Sequence, residues 1–356
     1  MNWLFEPARA IDLSFRDRAR AHQQQLTKPA GSLGQLEVYA EMFAGWQSTI
    51  HPHVEHIYIA VFAGDHGVCQ QNISAFPQAV TTQMIANFLD GGAAISVLSR
   101  HLNAAFVVCN TGTVKPLPDH YIAHPQWVDK HIAYGTADLS LHAAMTLVQL
   151  ADALAAGCSV VDEACSQYSS DQPLQLFIGG EMGIGNTTSA SALCAALLEL
   201  PSIDVVGPGT GVDARGLLHK QSVIDAALLL HKAILNEPCE ILRCLGGLEI
   251  AALVGSYIRC AQLGIPILVD GFICTAAALM AVKLNPSVRH WMLFSHCSAE
   301  PGHRIALNVL SAEPILDLGL RLGEGSGAAI AVPILQSALL LHNTMATFEQ
   351  AGVNGG

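Results

Sequence analysis

Glu324 lies in the stretch RLGEGSGAA, Arg321 to Ala329, with Gly323 before it and Gly325 after it. Glycine neighbours leave a carboxylate uncrowded and let a substrate lie against the backbone. An acid that opens a helix ordinarily complements the helix dipole, but capping does not require glycines on both sides. The dipole is expected to keep Glu324 ionised near neutral pH, as a proton acceptor must be. The same stabilisation weakens it as a base, so the proton it takes should be one that the reaction itself makes acidic.

A second acid, Glu181, lies in GGEMGIGNTTSA, which follows an apolar run and precedes an alanine-rich one. Its glycines, Gly183 and Gly185 among them, would let backbone N–H groups approach a phosphate, and a helix start favours the anion. Asn186, Thr187 or Thr188 could cap that helix. Spacing alone leaves open a phosphate cradle or a tight turn with an ordinary cap. The stretch fits neither G-x-G-x-x-G nor G-x-x-x-x-G-K-[ST], so neither the dinucleotide nor the Walker fingerprint applies. GPGTGVDARGLLHK repeats the theme: Gly207, Gly209 and Thr210 could meet phosphate or ribose, and Lys220 could add a positive charge. A plain loop also accounts for it.

Asp65 and His66 in AGDHG could bind a metal, but no H-x-H and no second close carboxylate accompanies them, so no metal is expected. SAFPQAVTTQMIANFL sets Ser74, Phe76, Gln83 and Met84 where they could wall a flat aromatic ligand, although an amphipathic helix explains most of the pattern. Ser295 and His296 in FSHCSAEPGH lack the strained elbow of a serine nucleophile and are placed with the same pocket.

These residues need a scaffold. Short apolar runs, His56–Gly67, Ala104–Gly112, Leu174–Thr188, Ile203–Gly211, Ile265–Phe272 and His290–Ser298, end in glycine and polar residues, and helix-like stretches separate them. Continuous Val/Ile/Leu runs read as strands buried on both faces, and the alternation predicts βαβ units in a mostly parallel, Rossmann-like sheet with helices on both faces. Ligands bind outside the carboxyl ends of such strands, where Asp65, His66, Glu181, Asn186, Thr210, Asp270, Ser295 and His296 fall. Both termini read as helical. Residues 1–45 with 331–356 are expected to form a small helical domain beside a large α/β domain of 46–330.

The totals agree. Of 356 residues 51% are hydrophobic and only 13% charged, against roughly 25% charged in an average domain, so much of the chain must be buried. A net charge of −12 disfavours nucleic acid and anionic membranes as partners, since both need clustered Lys and Arg. The N-terminal residues mix charge with apolar side chains unlike a signal peptide. The apolar run Gly264–Val282 is interrupted by Pro266, Asp270 and Gly271 and reads as strand, turn and helix. Ten cysteines without a C-x-x-C pair suit a reduced, cytoplasmic setting.

In order along the chain, KPAGSLGQLE, AGDHGV, GGEMGIGNTTSA, GPGTG, VDGF, SHCSAEPGH and RLGEGSGAA resemble the nicotinate-nucleotide–dimethylbenzimidazole phosphoribosyltransferases of cobalamin biosynthesis, from about Lys28 to Ala329. The resemblance implies transfer of phosphoribose from nicotinate mononucleotide to 5,6-dimethylbenzimidazole, with inversion at the anomeric carbon. The products are α-ribazole 5′-phosphate and nicotinate. It also implies a homodimer that uses no metal or cofactor. It makes Glu324 the general base and Glu181 its assistant. The amides from Gly183 to Thr188 and from Gly207 to Thr210, with Lys220, would hold phosphate and ribose. Two other readings compete. A nicotinamide-cofactor oxidoreductase would need a G-x-G-x-x-G turn after the first strand, where AGDHGV stands instead. A non-catalytic module would bind the nucleotide without turnover.

Overall fold

The computed structural model describes residues 1–354 apart from Thr210. Six parallel strands form one sheet in the order β3-β2-β1-β4-β5-β6: β1 is Ile57–Gly64, β2 Ala105–Gly112, β3 Trp127–Asp129, β4 Leu176–Met182, β5 Ile267–Val269 and β6 Met292–Phe294. The order reverses between β1 and β4, which pair from Ile57↔Leu176 to Ala63↔Met182. Every residue of β1 is buried, as a doubly covered parallel sheet demands.

The Leu248–Leu263 helix lies along β1, β2 and β4, and the Leu147–Ser166 helix stacks on it. The Asn186–Leu198 and Phe272–Leu284 helices pack together beside the carboxyl ends of β4 and β5. Gly264–Val282 divides as its breakers predict, into β5 and the Phe272–Leu284 helix. The apolar run at Ile203 does not form a strand. Pro201 starts a single helical turn, Ser202–Val205, in which Ile203 is exposed while Ser202 and Val205 are buried. An alternating strand pattern would not produce that. Edge strand β3 has no counterpart among the sequence-read strands: two half-buried residues and an exposed Asp129 carry too little apolar signal.

The chain ends meet. Gln23 Nε2 donates to His342 Nδ1 at 2.8 Å, and His342 Nε2 donates to the Ile50 carbonyl at 3.1 Å. Leu26 and Thr347 form an antiparallel bridge. The Ser326–Thr344 helix is long and apolar enough to cross a membrane by length and composition. It packs instead against Gln35–Gln47, Ala94–His101 and β4. It also runs through residue 330 without a break, so the Gly323–Gly325 turn leads into the same helix that carries the C-terminal end.

Candidate active site

A cavity of about 420 Å³ opens at the carboxyl ends of β4, β5 and β6. Glu181 reaches it from β4 and Glu324 from the turn before the last long helix. Asn186 and Thr187 come from the helix after β4, and His296 from the end of β6. Phe76, Val80 and Met84 form one apolar wall, and Phe272, Ile273 and Leu322 contribute another.

The turn that carries Glu324 is unusual. Gly323, Glu324 and Gly325 all have left-handed backbones, with φ of 88°, 66° and 85°. A β-carbon is tolerated there only at a cost, so the glycines satisfy the geometry and Glu324 is the exception. A β-carbon on Gly323 would also fall 2.4 Å from Glu181 Oε1, so the missing side chain makes room for the second acid. Behind the turn, buried Asp270 accepts from Gly325 N at 3.1 Å and from Ala328 N at 2.8 Å. It thereby satisfies the start of the Ser326–Thr344 helix, a task that Glu324 leaves to it.

Glu324 therefore precedes the helix, whose N-cap is Gly325, and the dipole does not govern its charge. Burial raises its pKa to about 7; the Ile95 N–H pulls the other way and the Asp270 charge adds to the rise. The expectation of a firmly ionised carboxylate is corrected: Glu324 is poised near neutrality and is a stronger base than a dipole-bound acid would be. Glu181 is pushed higher, to about 8, by burial and then by the charges of Asp270 and Glu249. It accepts a short hydrogen bond from Asn186 Nδ2.

Capping after β4 also differs from expectation. Gly185 is the N-cap and makes no side-chain cap bond. Asn186 turns to Glu181, and Thr187 Oγ1 accepts from Lys220 Nζ at 2.7 Å. Lys220 is 1% exposed and also donates to the Gly207 carbonyl at 3.1 Å. Burial lowers its pKa to about 8. It braces the loop from behind and does not line the cavity.

Of the sequence-read residues, Glu181, Gly183, Asn186, Thr187, Gly209, Phe76, Met84, His296 and Glu324 line the cavity. Gly185, Thr188, Gly207, Lys220, Ser74, Gln83 and Ser295 do not, and Thr210 lies outside the described residues. Helical spacing explains Gln83: Val80 and Met84 take the cavity side and leave it exposed. Ser295 is fully buried, its Oγ 3.0 Å from His296 Nδ1. Sequence reasoning missed Glu300 and Arg321. Among the described residues Arg321 is the one Arg or Lys lining the cavity, and Glu300 Oε1 accepts from Gly209 N at 3.0 Å. Both stand inside motifs already singled out, SAEPGH and RLGEG; a charge embedded in such a loop was the available signal.

A parallel α/β sheet that brings paired acids, an arginine and a helix start with no side-chain cap to one cavity can bind an anionic substrate and move a proton beside it. The Phosphoribosyltransferase family model matches residues 8–353. A nicotinate-nucleotide–dimethylbenzimidazole phosphoribosyltransferase from Pseudomonas putida (strain W619) is 53% identical over 351 residues, 99% of this chain and 97% of its own. One from Azotobacter vinelandii is 54% identical over 353 residues, with 99% and 98% covered. The crystal structure of such an enzyme from Thermus thermophilus superposes with a TM-score of 0.89 at 41% identity, covering 97% of this chain and all of that one. The chain belongs to the nicotinate-nucleotide–dimethylbenzimidazole phosphoribosyltransferase family.

Proposed function

We propose that this enzyme transfers phosphoribose from nicotinate mononucleotide to 5,6-dimethylbenzimidazole, with Glu324 as general base, yielding nicotinate and α-ribazole 5′-phosphate. The observation that carries the mechanism is the meeting of Glu324 and Glu181 in one cavity that also has an apolar wall. One nitrogen of the benzimidazole attacks C1′ and becomes positive as the bond to nicotinate breaks. The N–H of the other ring nitrogen turns acidic, and Glu324 takes its proton. Attack opposite the leaving group inverts the β-nucleotide to an α-product. Glu181, protonated below about pH 8, adds no second negative charge beside the base.

Arg321 and the uncapped start of the Asn186–Leu198 helix are suited to the 5′-phosphate. Thr187, steadied by Lys220, completes that side. Phe76, Val80 and Met84 suit the flat faces of the acceptor. The same proposal includes a cytoplasmic homodimer. It also includes a small helical unit, 1–45 with 331–356, beside a large unit of 46–330; the contacts between the two chain ends support it.

The test mixes purified protein with nicotinate mononucleotide and 5,6-dimethylbenzimidazole without added metal and follows both products by chromatography. Equimolar nicotinate and α-ribazole 5′-phosphate are expected. Bound nucleotide without nicotinate release would mean a binding module rather than a transferase.

A further inference from the structure

Behind the cavity lies a buried histidine–carboxylate pair that the reaction does not use. His66 Nε2 is 2.6 Å from Glu249 Oε1, and both side chains are fully buried. His66 follows β1, and Glu249 stands in the first turn of the Leu248–Leu263 helix. Neither residue lines the cavity. Stability is a poor explanation for the pair. Taking two such groups out of water costs about as much as their attraction returns, and well-packed apolar side chains often serve as well. Among the described residues His66 Nδ1 and Glu249 Oε2 have no hydrogen-bond partner, which adds to the cost.

Three stretches of backbone close on the pair. A β-carbon on Gly64, the last residue of β1, would lie 2.9 Å from Glu249 Oε2. One on Gly247, just ahead of the helix, would lie 2.5 Å from the same oxygen and collide with His66 Cε1. One on Gly183, in the loop after β4, would lie 3.4 Å from Glu249 Oε1 and collide with the Gly64 carbonyl oxygen. His66 also reaches the other end of that loop, since a β-carbon on Gly185 would lie 3.4 Å from its Cβ. Between the two glycines, Ile184 N donates to Thr81 Oγ1 at 3.2 Å and the Ile184 carbonyl accepts from Cys69 Sγ at 2.9 Å. The His66 carbonyl in turn accepts from Cys69 N and from Gln78 Nε2, each at 3.1 Å. The loop therefore rests on His66 and Glu249, while Gly183 and Ile184 line the cavity.

We propose that His66 and Glu249 are positioning residues for the nucleotide phosphate: the pair is the floor that fixes the Gly183–Gly185 loop, and with it the N–H groups at the start of the Asn186–Leu198 helix. This rests on the reading that those groups hold the 5′-phosphate. Donors aimed at an anion lose their effect when displaced by a fraction of an ångström. A short hydrogen bond between two buried side chains has one geometry, whereas apolar contacts would let the loop slide.

Calorimetry with nicotinate mononucleotide and with nicotinate riboside, which lacks the phosphate, tests this. Glu249→Ala removes the support under Gly183. It should weaken mononucleotide binding roughly tenfold, the scale of one hydrogen bond to a charged group, and leave riboside binding near that of the unsubstituted enzyme. Glu249→Gln keeps the length and an oxygen that accepts from His66 Nε2, so it should restore most of the preference for the mononucleotide. His66→Asn is the second variant. Its amide stops short of Glu249, and it should show the same selective loss even if Glu249→Ala fails to fold. A merely structural pair would lower Tm and the active fraction and leave the mononucleotide-to-riboside affinity ratio in place. An unmoved ratio in His66→Asn overturns this proposal and leaves the phosphate site standing. Equal affinity of the unsubstituted enzyme for both ligands would remove the phosphate site and this proposal together.

Discussion

Glu181 and Glu324 share a cavity but not a charge state. Burial lifts both, and the nearby charges of Asp270 and Glu249 lift Glu181 further, so one acid is neutral near pH 7 while the other is half ionised. Separated values in one site are how two like groups take different roles. Glu324→Gln should lower kcat by roughly 10²–10⁴-fold, while nicotinate mononucleotide binds within a few-fold of its normal affinity by calorimetry. In the unsubstituted enzyme kcat/KM should climb as pH rises through about 7, where Glu324 loses its proton. A flat profile from pH 6 to 8 would show that some other group takes the proton. Both acids were legible from their glycine neighbours. Their charge was not, because burial is set by segments far away in sequence. Arg321 and Glu300 sat in view, yet nothing local says that they face the cavity while Lys220, the more obvious cation, stands behind it.

Among the elements, the contact that matters most is between β4 and the Gly323–Gly325 turn. A β-carbon on Gly180 would come 2.4 Å from the carbonyl oxygen of Glu324, far inside van der Waals contact, so the strand and the turn touch backbone to backbone. Gly180→Ala should push the turn outward, at a cost of about 1–3 kcal/mol for an overpacked contact. kcat should fall sharply while Tm drops only modestly, because Glu324, the proposed base, moves while the sheet stays paired. Melting and turnover measured on one preparation decide it: an alanine variant with normal kcat would mean that β4 does not position the turn. Five of the six strands were legible as apolar runs ending in glycine or polar residues. The sixth, β3, is short and half exposed, and the Ile203 run shows the converse error, since a short apolar stretch after Pro201 suits one helical turn equally well. Strand order was not legible at all, because parallel pairing depends on where the crossover helices pack.

At the scale of the whole molecule, the buried ionisable groups make stability depend on pH from two sides. His303 and His342 are buried, and burial lowers them to about 3 and about 4. Unfolding exposes them to an ordinary value near 6.5. The folded form binds fewer protons, so stability falls as pH drops below about 6.5. Glu181 and Glu324 act oppositely: raised to about 8 and about 7 from 4.5, they hold protons that the unfolded chain releases. Their contribution is lost as pH rises from about 4.5 toward 8. Asp65, Asp270 and Glu300, also raised chiefly by burial, push in the same direction. Between about pH 4.5 and 6.5 the two sets oppose each other. Above 6.5 these two histidines contribute nothing further; the raised acids remain, joined by buried His66, where the Glu249 partner outweighs burial and raises the pKa, and opposed near pH 8 by Lys220, which burial lowers to about 8. Tm should therefore fall from pH 6.5 to 8, where a protein with ordinary surface carboxylates would be level. Glu181→Gln, which fixes that side chain in its neutral form, should recover part of the loss at pH 8 and far less at pH 5. Calorimetry at constant ionic strength across pH 5–8 is the measurement. A Tm that climbs over pH 6.5–8 would mean that the cavity acids are solvated and ionised, and that burial does not set the strength of the base.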